Sequence, residues 1–242
     1  MNAAKRILIF LLMLIALAGI GYALYPAANN QLWKYQTEKA AESFLTKSEI
    51  LPDISKAIQA VCEEAEPPYY DLLCDMQAYN ERIYSEGQSG LNSITAYQTP
   101  ALDVSDYGID DGIIGVISIP GLDIEMPLYL GASSENMAKG AVVLGQTSLP
   151  IGGKNSNCVI AGHRGWQGAD YFRYLDEIQI GDTVTVTNLW SELSYHVTEI
   201  AVIQPNDIDA VKIQPQKDML TLITCHPYAS GGRFRLAVYC ER

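Results

Sequence analysis

The distribution of apolar and polar positions divides the chain into four regions, and each region predicts a different kind of element. The first region begins with Lys5 and Arg6, after which the 19 residues 7–25 are apolar and uncharged. A run of this length is close to the ~20 residues that a helix needs to cross a bilayer. The two cations before it favour an N-terminus inside and the remaining chain outside. We expect a retained cytoplasmic tip and single-pass anchor over residues 1–28. A cleaved signal peptide is the alternative, because residues 21–23 offer a small-x-small cleavage site.

The second region, residues 29–87, is charged and helix-prone. An apolar stripe recurs on one side of a helix at Leu72, Met76, Tyr79 and Ile83. Pro67 and Pro68 separate this helix from an earlier one around residues 31–46. We expect a helical stalk that packs on the rest of the domain. A helix that binds a partner would show the same stripe, so the pattern alone does not distinguish the two.

The third region, residues 88–111, is polar and shows no period. Its glycines, serines and aspartates and Pro100 are typical of a long loop. Loops of this length are usually functional or disordered. The segment is therefore either a functional loop over the domain or a solvated linker.

The fourth region, residues 112–242, consists of short apolar runs separated by turn residues. Eight runs have the length and composition of strands: 113–119, 124–130, 140–144, 158–162, 183–187, 195–204, 219–224 and 234–239. We also expect a short helix at residues 171–175. Many short strands at such spacing predict a mainly β domain, either a barrel or a sandwich.

Charge and cysteine content narrow the possible functions. The chain has 16 Lys and Arg against 28 Asp and Glu, a net charge of −12, which argues against a nucleic-acid partner. Five cysteines is an odd number, so at least one thiol stays free unless it pairs between chains. Cys62 and Cys74 lie in the same polar region and could form a disulfide. No Cys-x-x-Cys occurs among the cysteines and three histidines, so we expect no metal site.

Two predicted strand ends carry side chains suited to nucleophilic chemistry. An apolar run leads into Cys225, and Pro227 then ends the strand. A second apolar run ends at His163 in the same way. A side chain at a strand end is rigidly held and can be reached from a loop. Cys225 is therefore the candidate nucleophile, and His163 the base that takes the thiol proton and later protonates the leaving amine.

An arginine on the last predicted strand completes the candidate site. A fixed cation can stabilise the oxyanion that forms when a thiol attacks an amide. Arg233 and Arg235 lie two residues apart and share a face, so alternation does not separate them. Apolar strand residues follow Arg235, which we take as the candidate, while Arg233 is expected to be a solvated charge. Arg164, next to His163, is expected to be a surface or structural residue.

The remaining histidines and strand cysteines have simpler interpretations. His226 adjoins Cys225 on an extended chain, so the two side chains point to opposite faces. His196 lies on the polar face of its strand and is expected to be solvated. Cys158 lies inside a strand and is expected in the core.

These segments resemble the signature motifs of sortases, the cysteine transpeptidases of Gram-positive cell surfaces. Residues 221–225, Thr-Leu-Ile-Thr-Cys, are similar to the Thr-Leu-x-Thr-Cys motif of the family. Residues 161–165, Ala-Gly-His-Arg-Gly, resemble its catalytic-histidine segment, and residues 235–238, Arg-Leu-Ala-Val, its arginine strand. The likeness extends from about residue 112 to the end and is greatest to the class C, pilin-polymerising group. It implies a closed eight-stranded β-barrel over residues 112–242.

The resemblance also implies a reaction, partners and a location. Cys225 would attack the Thr–Gly bond of a Leu-Pro-x-Thr-Gly sorting signal in a surface or pilin protein and form a thioacyl-enzyme. An amine would then take the acyl group, either a pilin lysine or the cross-bridge of a peptidoglycan precursor. No cofactor is needed, and the catalytic domain would be extracellular on a single-pass anchor in the cell membrane. Leu222 and Thr224, beside the nucleophile, are candidate substrate-binding residues, although Thr224 is equally well interpreted as a structural residue of its strand.

Class C relatives often cover their site with a lid that carries an Asp-Pro-aromatic motif. No Asp-Pro occurs in this sequence, and Asp106-Tyr107 is the nearest approximation. Residues 88–111 are therefore a candidate lid, with a solvated linker as the alternative. The class C group also often carries a second, C-terminal membrane segment, and this sequence shows no second apolar span.

Two other functions are compatible with the residues themselves. An exported cysteine peptidase would use the same side chains and let water resolve the acyl-enzyme. A non-catalytic surface-structural domain would keep Cys225 in its core, where a thiol reagent does not reach it.

Overall fold

The computed structural model describes residues 3–59, 66–93 and 95–242, and the last of these ranges contains ten strands. Eight of them close a barrel: β1 (Ile113–Ile119), β2 (Ile124–Leu130), β3 (Ala141–Val143), β4 (Ser156–Ala161), β7 (Thr183–Asn188), β8 (Glu192–Ile203), β9 (Asp218–His226) and β10 (Phe234–Glu241). The other two, β5 (Arg164–Trp166) and β6 (Ala169–Tyr171), form a separate hairpin. The predicted mainly β fold with an eight-stranded barrel is confirmed.

The order of the barrel strands determines where the functional side chains meet. The order is β1-β2-β3-β4-β9-β10-β8-β7, and β7 pairs with β1 to close the barrel. Neighbouring strands are antiparallel except for two parallel pairs, β2 with β3 and β4 with β9. The alternation that predicted the strands is clearest in β7, where the valines are buried and the threonines half-buried. The parallel pair β4–β9 brings two strand ends to the same edge of the barrel.

The N-terminal part of the chain is one long helix. α1 (Ala3–Gln59) continues through Pro26 and through the boundary expected near residue 28. Its N-terminal part is exposed, and it is long and apolar enough to cross a membrane. Further along, Ala41 and Phe44 are buried where α1 packs against β1 and β2. The apolar run and the first stalk helix therefore form one continuous helix.

The second helix, α2 (Tyr70–Ser85), packs its apolar stripe against the barrel. All four residues of the stripe are buried: Leu72, Met76, Tyr79 and Ile83. Asn80 on the same helix accepts a hydrogen bond from the N–H of Leu149 at 2.7 Å and donates one to its carbonyl at 3.3 Å. The chain itself thus covers the stripe, which favours the packed-stalk interpretation over partner binding. The possible disulfide between Cys74 and Cys62 lies outside the described residues, because Cys62 is not among them.

A third, short helix, α3 (Ser134–Lys139), lies between β2 and β3. The helix predicted at residues 171–175 was wrong, because strand β6 ends at Tyr171 and turns follow it. Tyr171 has φ 47°, a left-handed conformation that an α-helix does not continue, and only a 3₁₀ turn at Leu175–Glu177 follows. Three apolar side chains of this segment are buried by tertiary packing, although the segment is not helical: Tyr171, Phe172 and Leu175.

Residues 88–93 and 95–111 fold closely against the barrel, although the sequence predicts a long loop. They include 3₁₀ turns at Ser89–Asn92 and Val104–Tyr107 and several buried apolar residues: Leu91, Ala96, Val104 and Ile109. At Gly145 a β-carbon would lie 2.2 Å from the carbonyl oxygen of Thr99, so the approach of this segment requires a glycine. Single turns leave no periodic pattern, which is why the sequence does not predict them.

Candidate active site

Strands β4 and β9 bring His163 and Cys225 to one edge of the barrel. The strands are parallel, and Ala161 pairs with Ile223. Two residues further along the chain from these partners, His163 follows the end of β4 and Cys225 lies near the end of β9. Because both strands end at the same edge, residues far apart in sequence leave the barrel side by side.

Strand β10 adds Arg235 to this edge. It runs antiparallel to β9, and Arg235 pairs directly with Cys225. Gly232, in the loop between the two strands, marks the point where the side chains converge. A β-carbon at this glycine would lie 3.3 Å from Cys225 Sγ and 2.9 Å from Arg235 Nη1. The thiol and the guanidinium therefore face the same small space.

The loop before β10 fixes the guanidinium of Arg235. Its Nη1 donates to the carbonyl of Gly232 at 2.8 Å and to that of Phe234 at 3.1 Å. A guanidinium carries five N–H donors, so further donors remain for an oxyanion. Arg233 is exposed. Alternation along the strand does not distinguish Arg233 from Arg235, whereas the structure places Arg235 beside the thiol.

His163 lies between two aromatic rings of the β5–β6 hairpin. Trp166 stacks on the imidazole with ring centroids 5.0 Å apart, and Tyr171 meets it edge-on at 5.4 Å. Burial lowers the pKa of His163 below its ordinary value of 6.5. At neutral pH the ring is therefore unprotonated and able to accept the thiol proton. Sequence reasoning missed both rings, because it predicted no hairpin at residues 164–171.

Cys225 differs from the cysteines inside the strands. It is half-buried at its strand end, whereas Cys158 in β4 and Cys240 in β10 are buried. Burial raises the pKa of the Cys240 thiol to about 12 and also raises the pKa of Cys158. Such thiols stay protonated and inert. The prediction that Cys158 belongs to the core is confirmed.

Arg164 is a buried support of the strand end that carries the nucleophile. Its guanidinium forms an ion pair with Asp176. Nη1 lies 2.7 Å from His226 Nδ1 and donates to the carbonyl of Cys225 at 3.5 Å. Arg164 is therefore structural, one of the two roles that the sequence leaves open. The contact with Arg164 also occupies a ring nitrogen of His226, which weakens the case for His226 as the base.

Leu222 and Thr224, the candidate substrate-binding residues, are buried at 0% and 2% exposure. Neither offers surface to a peptide in this structure. The hydroxyl of Thr224 donates instead to the carbonyl of Gly162 at 2.9 Å. Thr224 thus ties the nucleophile's strand to the residue that precedes His163.

A groove of about 250 Å³ adjoins Arg235. Its walls include Ala161 and Ile223 at the barrel edge and Tyr97 and Gln98 from the 88–111 segment. A larger cavity of about 490 Å³ lies between α1 and β2, but its lining includes none of the three predicted catalytic residues. Of the two, the smaller groove is the one next to a predicted catalytic residue.

Asp106 and Tyr107, the candidate lid residues, are not among the residues that line this groove. The hydroxyl of Tyr107 donates to the carboxylate of Asp75 in α2 at 2.5 Å. This hydrogen bond to a carboxylate raises the pKa of Tyr107 to about 12. The structure thus ties Tyr107 to α2, and Tyr97 and Gln98 are the residues of the segment that line the groove.

The last histidine, His196, is exposed on β8, where its Nδ1 lies 3.4 Å from the hydroxyl of Thr183. Within the described ranges, no group of three or more His, Cys, Asp or Glu side chains could hold a metal ion. The chemistry available at the site is therefore that of a thiol, an imidazole and a guanidinium at the head of a groove.

Comparison with known proteins gives consistent matches. A family model described as the sortase domain matches residues 117–242. The chain is 25% identical over 130 residues to sortase D of Bacillus subtilis (strain 168); this match covers 53% of this chain and 63% of that protein, less than two thirds of its length. Sortase C-1 from Streptococcus pneumoniae superposes with a TM-score of 0.64 at 29% identity, over 80% of this chain and 97% of that one. Clostridium perfringens sortase C, solved with the C-terminal cell wall sorting motif, gives 0.61 at 31% identity, over 80% and 97%.

Proposed function

The chain belongs to the sortase family, and we propose that it is a membrane-anchored, extracellular cysteine transpeptidase of the class C, pilin-polymerising kind. The observation that carries the proposal is the convergence of Cys225, His163 and Arg235 at one barrel edge beside a groove. The proposed substrate is a surface or pilin protein with a Leu-Pro-x-Thr-Gly-like signal. The proposed acceptor is the amine of a pilin lysine or of a peptidoglycan cross-bridge.

In the first half of the reaction Cys225 attacks the carbonyl carbon of the Thr–Gly bond. His163 takes the thiol proton, for which its lowered pKa keeps a nitrogen free at neutral pH. A carbon–sulfur bond forms, and the tetrahedral intermediate collapses as the carbon–nitrogen bond breaks. His163 returns the proton to the departing amine, which leaves a thioester on Cys225.

In the second half the acceptor amine attacks the thioester carbonyl. His163 takes a proton from that amine, a new carbon–nitrogen bond forms as the carbon–sulfur bond breaks, and the proton passes from His163 to the departing sulfur of Cys225. The thioester conserves the acyl energy of the cleaved peptide bond, so the cycle needs no nucleotide. Water in place of the amine would give hydrolysis, which is the peptidase alternative.

Arg235 is proposed to bind the oxyanion in both halves. Its place beside Cys225 Sγ and its fixed Nη1 support this role, because a preorganised donor costs no reorganisation during the reaction. Removing one such donor typically costs ~2.7–4 kcal/mol of transition-state stabilisation.

The groove beside Arg235 is proposed to hold the sorting signal. The Clostridium perfringens sortase C structure with its sorting motif supports this substrate class. Leu222 and Thr224 would then act from beneath the groove, by shaping the barrel edge rather than by touching the peptide.

The segment 88–111 is proposed to form one wall of the groove and to cover part of the site. Tyr97 and Gln98 supply that wall, while Tyr107 secures the segment through Asp75 of α2. The tight contact of Thr99 with Gly145 supports a fixed wall rather than a freely swinging lid.

The test uses the full chain in detergent micelles with a Leu-Pro-x-Thr-Gly peptide and an added amine, followed by mass spectrometry of protein and products. We expect an acyl adduct on Cys225 and a product joined to the amine. Cys225→Ala should lose both. Cys74→Ala is the matched control, since Cys74 is also half-buried but lies on α2, and it should keep both.

The possible outcomes separate the candidate functions. Adduct formation followed by hydrolysed peptide alone would favour the peptidase. A Cys225→Ala variant that still forms product would overturn the assignment of the nucleophile. A Cys225 that reacts with neither peptide nor thiol reagents would favour the structural domain.

A further inference from the structure

The stretch of α1 that follows its apolar run is uncharged. Residues 7–33 carry no charge, and Arg6 and Lys34 flank these 27 residues. As continuous helix at 1.5 Å per residue they extend about 40 Å, which matches the roughly 40–45 Å of a bilayer with its headgroup layers. The apolar residues 7–25 account for about 28 Å, close to the hydrocarbon core of about 30 Å. Residues 26–33 are left for the outer headgroup layer.

The turn of the β5–β6 hairpin lies against the beginning of residues 26–33. A β-carbon at Gly168 would lie 3.0 Å from Pro26 Cα, so only a glycine allows the contact. Asn29 donates a side-chain hydrogen bond to the carbonyl of Gln167. Pro26 directly follows the apolar run, so the hairpin turn lies where the hydrocarbon layer meets the headgroups.

Two further contacts fix the hairpin on the helix. The amide of Asn30 donates to Asp170 Oδ2 at 2.7 Å and accepts from the Asp170 N–H at 3.0 Å. Trp33 packs on Tyr171 with ring centroids 4.2 Å apart. With four points of attachment along α1, the depth of the hairpin in a membrane follows the depth of the helix.

The composition of the turn suits a lipid interface. Trp166, Gln167 and Gly168 are uncharged, and Trp166 is 40% exposed. Tryptophan is enriched at headgroup depth because its ring is apolar and its N–H is polar. In a chain with a net charge of −12, an uncharged turn also avoids repulsion by anionic lipids.

We propose that residues 166–168 contact the lipid headgroup layer, so that the catalytic edge of the barrel faces the membrane surface. This inference rests on the membrane anchor of the proposed function. Trp166 stacks on His163 with ring centroids 5.0 Å apart. The lipid-facing ring is thus also the ring that supports the imidazole, and the hairpin connects the membrane surface to the site.

The test places the full chain in phosphatidylcholine vesicles whose headgroups carry a nitroxide, which quenches nearby tryptophans. Trp33→Phe with Trp190→Phe leaves Trp166 as the single fluorophore, and Trp33→Phe with Trp166→Phe leaves Trp190. Trp190 is the matched control because it lines a cleft with Leu51 of α1. Leu51 lies 26 residues beyond Tyr25, about 39 Å further along the helix.

We expect the nitroxide to remove most of the emission of Trp166 and little of that of Trp190. Equal quenching of the two would overturn the inference. Flotation of the vesicles separates this result from failure of the anchor, since a chain that stays out of the floated fraction overturns both. Should a double variant fail to fold, Trp166→Phe alone is compared with the natural chain, and an unchanged quenchable fraction would also overturn the inference.

Discussion

Gly231 and Gly232 offer a matched pair of positions for testing the geometry of the site. Both have positive φ, +68° and +78°. A β-carbon at Gly231 would meet open space, whereas one at Gly232 would lie 2.9 Å from Arg235 Nη1 and 3.3 Å from Cys225 Sγ. Alanine therefore strains the backbone similarly at both positions, and only Gly232→Ala inserts an atom between the thiol and the guanidinium.

The structure predicts different costs for stability and for activity. An L-residue at positive φ costs about 1–2 kcal/mol, so both variants should melt at similarly reduced temperatures. In Gly232→Ala the guanidinium must also move away from the new β-carbon, and loss of one oxyanion donor costs about 10²–10³ in rate. We expect Gly232→Ala to lose about 10²-fold in kcat/KM and Gly231→Ala to stay within about threefold of the natural chain.

The rate of cleavage of a sorting-signal peptide in the presence of an amine gives kcat/KM for each variant. The melting temperature in thermal unfolding reports the backbone strain that each alanine introduces. Equal kcat/KM values for the two variants would refute the convergence of Cys225 and Arg235 at this glycine. A Gly232→Ala protein that melts well below Gly231→Ala would indicate a disrupted loop instead of a displaced guanidinium.

Arg164→Met removes the ion pair with Asp176 and the hydrogen bond to the carbonyl of Cys225. Loss of one partner of a buried ion pair costs ~3–5 kcal/mol, and the cost is smaller here because the Asp176 side chain is 45% exposed. Urea unfolding should therefore show a loss of ~2–3 kcal/mol in the free energy of unfolding. The exposed control Arg233→Met should lose under ~0.5 kcal/mol, and a similar loss in both would contradict the role of Arg164. Thr224→Val removes the donor to the Gly162 carbonyl and should cost ~1–2 kcal/mol of stability, with kcat falling more than KM changes. Because burial lowers the pKa of His163, the acid limb of kcat/KM should lie below pH 6.5. As the pH drops from about 6.5, His163 of the unfolded chain is protonated before His163 of the folded chain. The free energy of unfolding should therefore fall until the pH has passed the folded pKa, and His163→Gln should remove this dependence on pH.

The sequence predicts the barrel well because the barrel is built from local patterns. The valines and threonines of β7 alternate between buried and half-buried positions, which is the signal that marks a strand. Cys225 and His163 are predictable because each follows an apolar run directly. Arg235 needs the pairing of β9 with β10 to be separated from Arg233, and alternation within one strand does not contain that information.

The supports of the site depend on contacts between distant segments. The helix predicted at residues 171–175 was wrong because three apolar side chains at helical spacing are buried by tertiary packing around a left-handed Tyr171. With the hairpin missed, neither the stacking of Trp166 on His163 nor the contact with α1 follows from the sequence. Helix α1 likewise continues across the boundary expected near residue 28.

The strand order has a consequence for how the protein matures. β9 and β10, which carry Cys225 and Arg235, follow every other barrel strand along the chain, and they fill the gap between β4 and β8. Until they are inserted, β4 and β8 are open edges and the barrel is incomplete. Pairing between segments so distant in sequence forms slowly, so we expect this insertion to be a late folding event. Cys225, Arg235 and the closed barrel then arise together, so a half-folded chain has no assembled site.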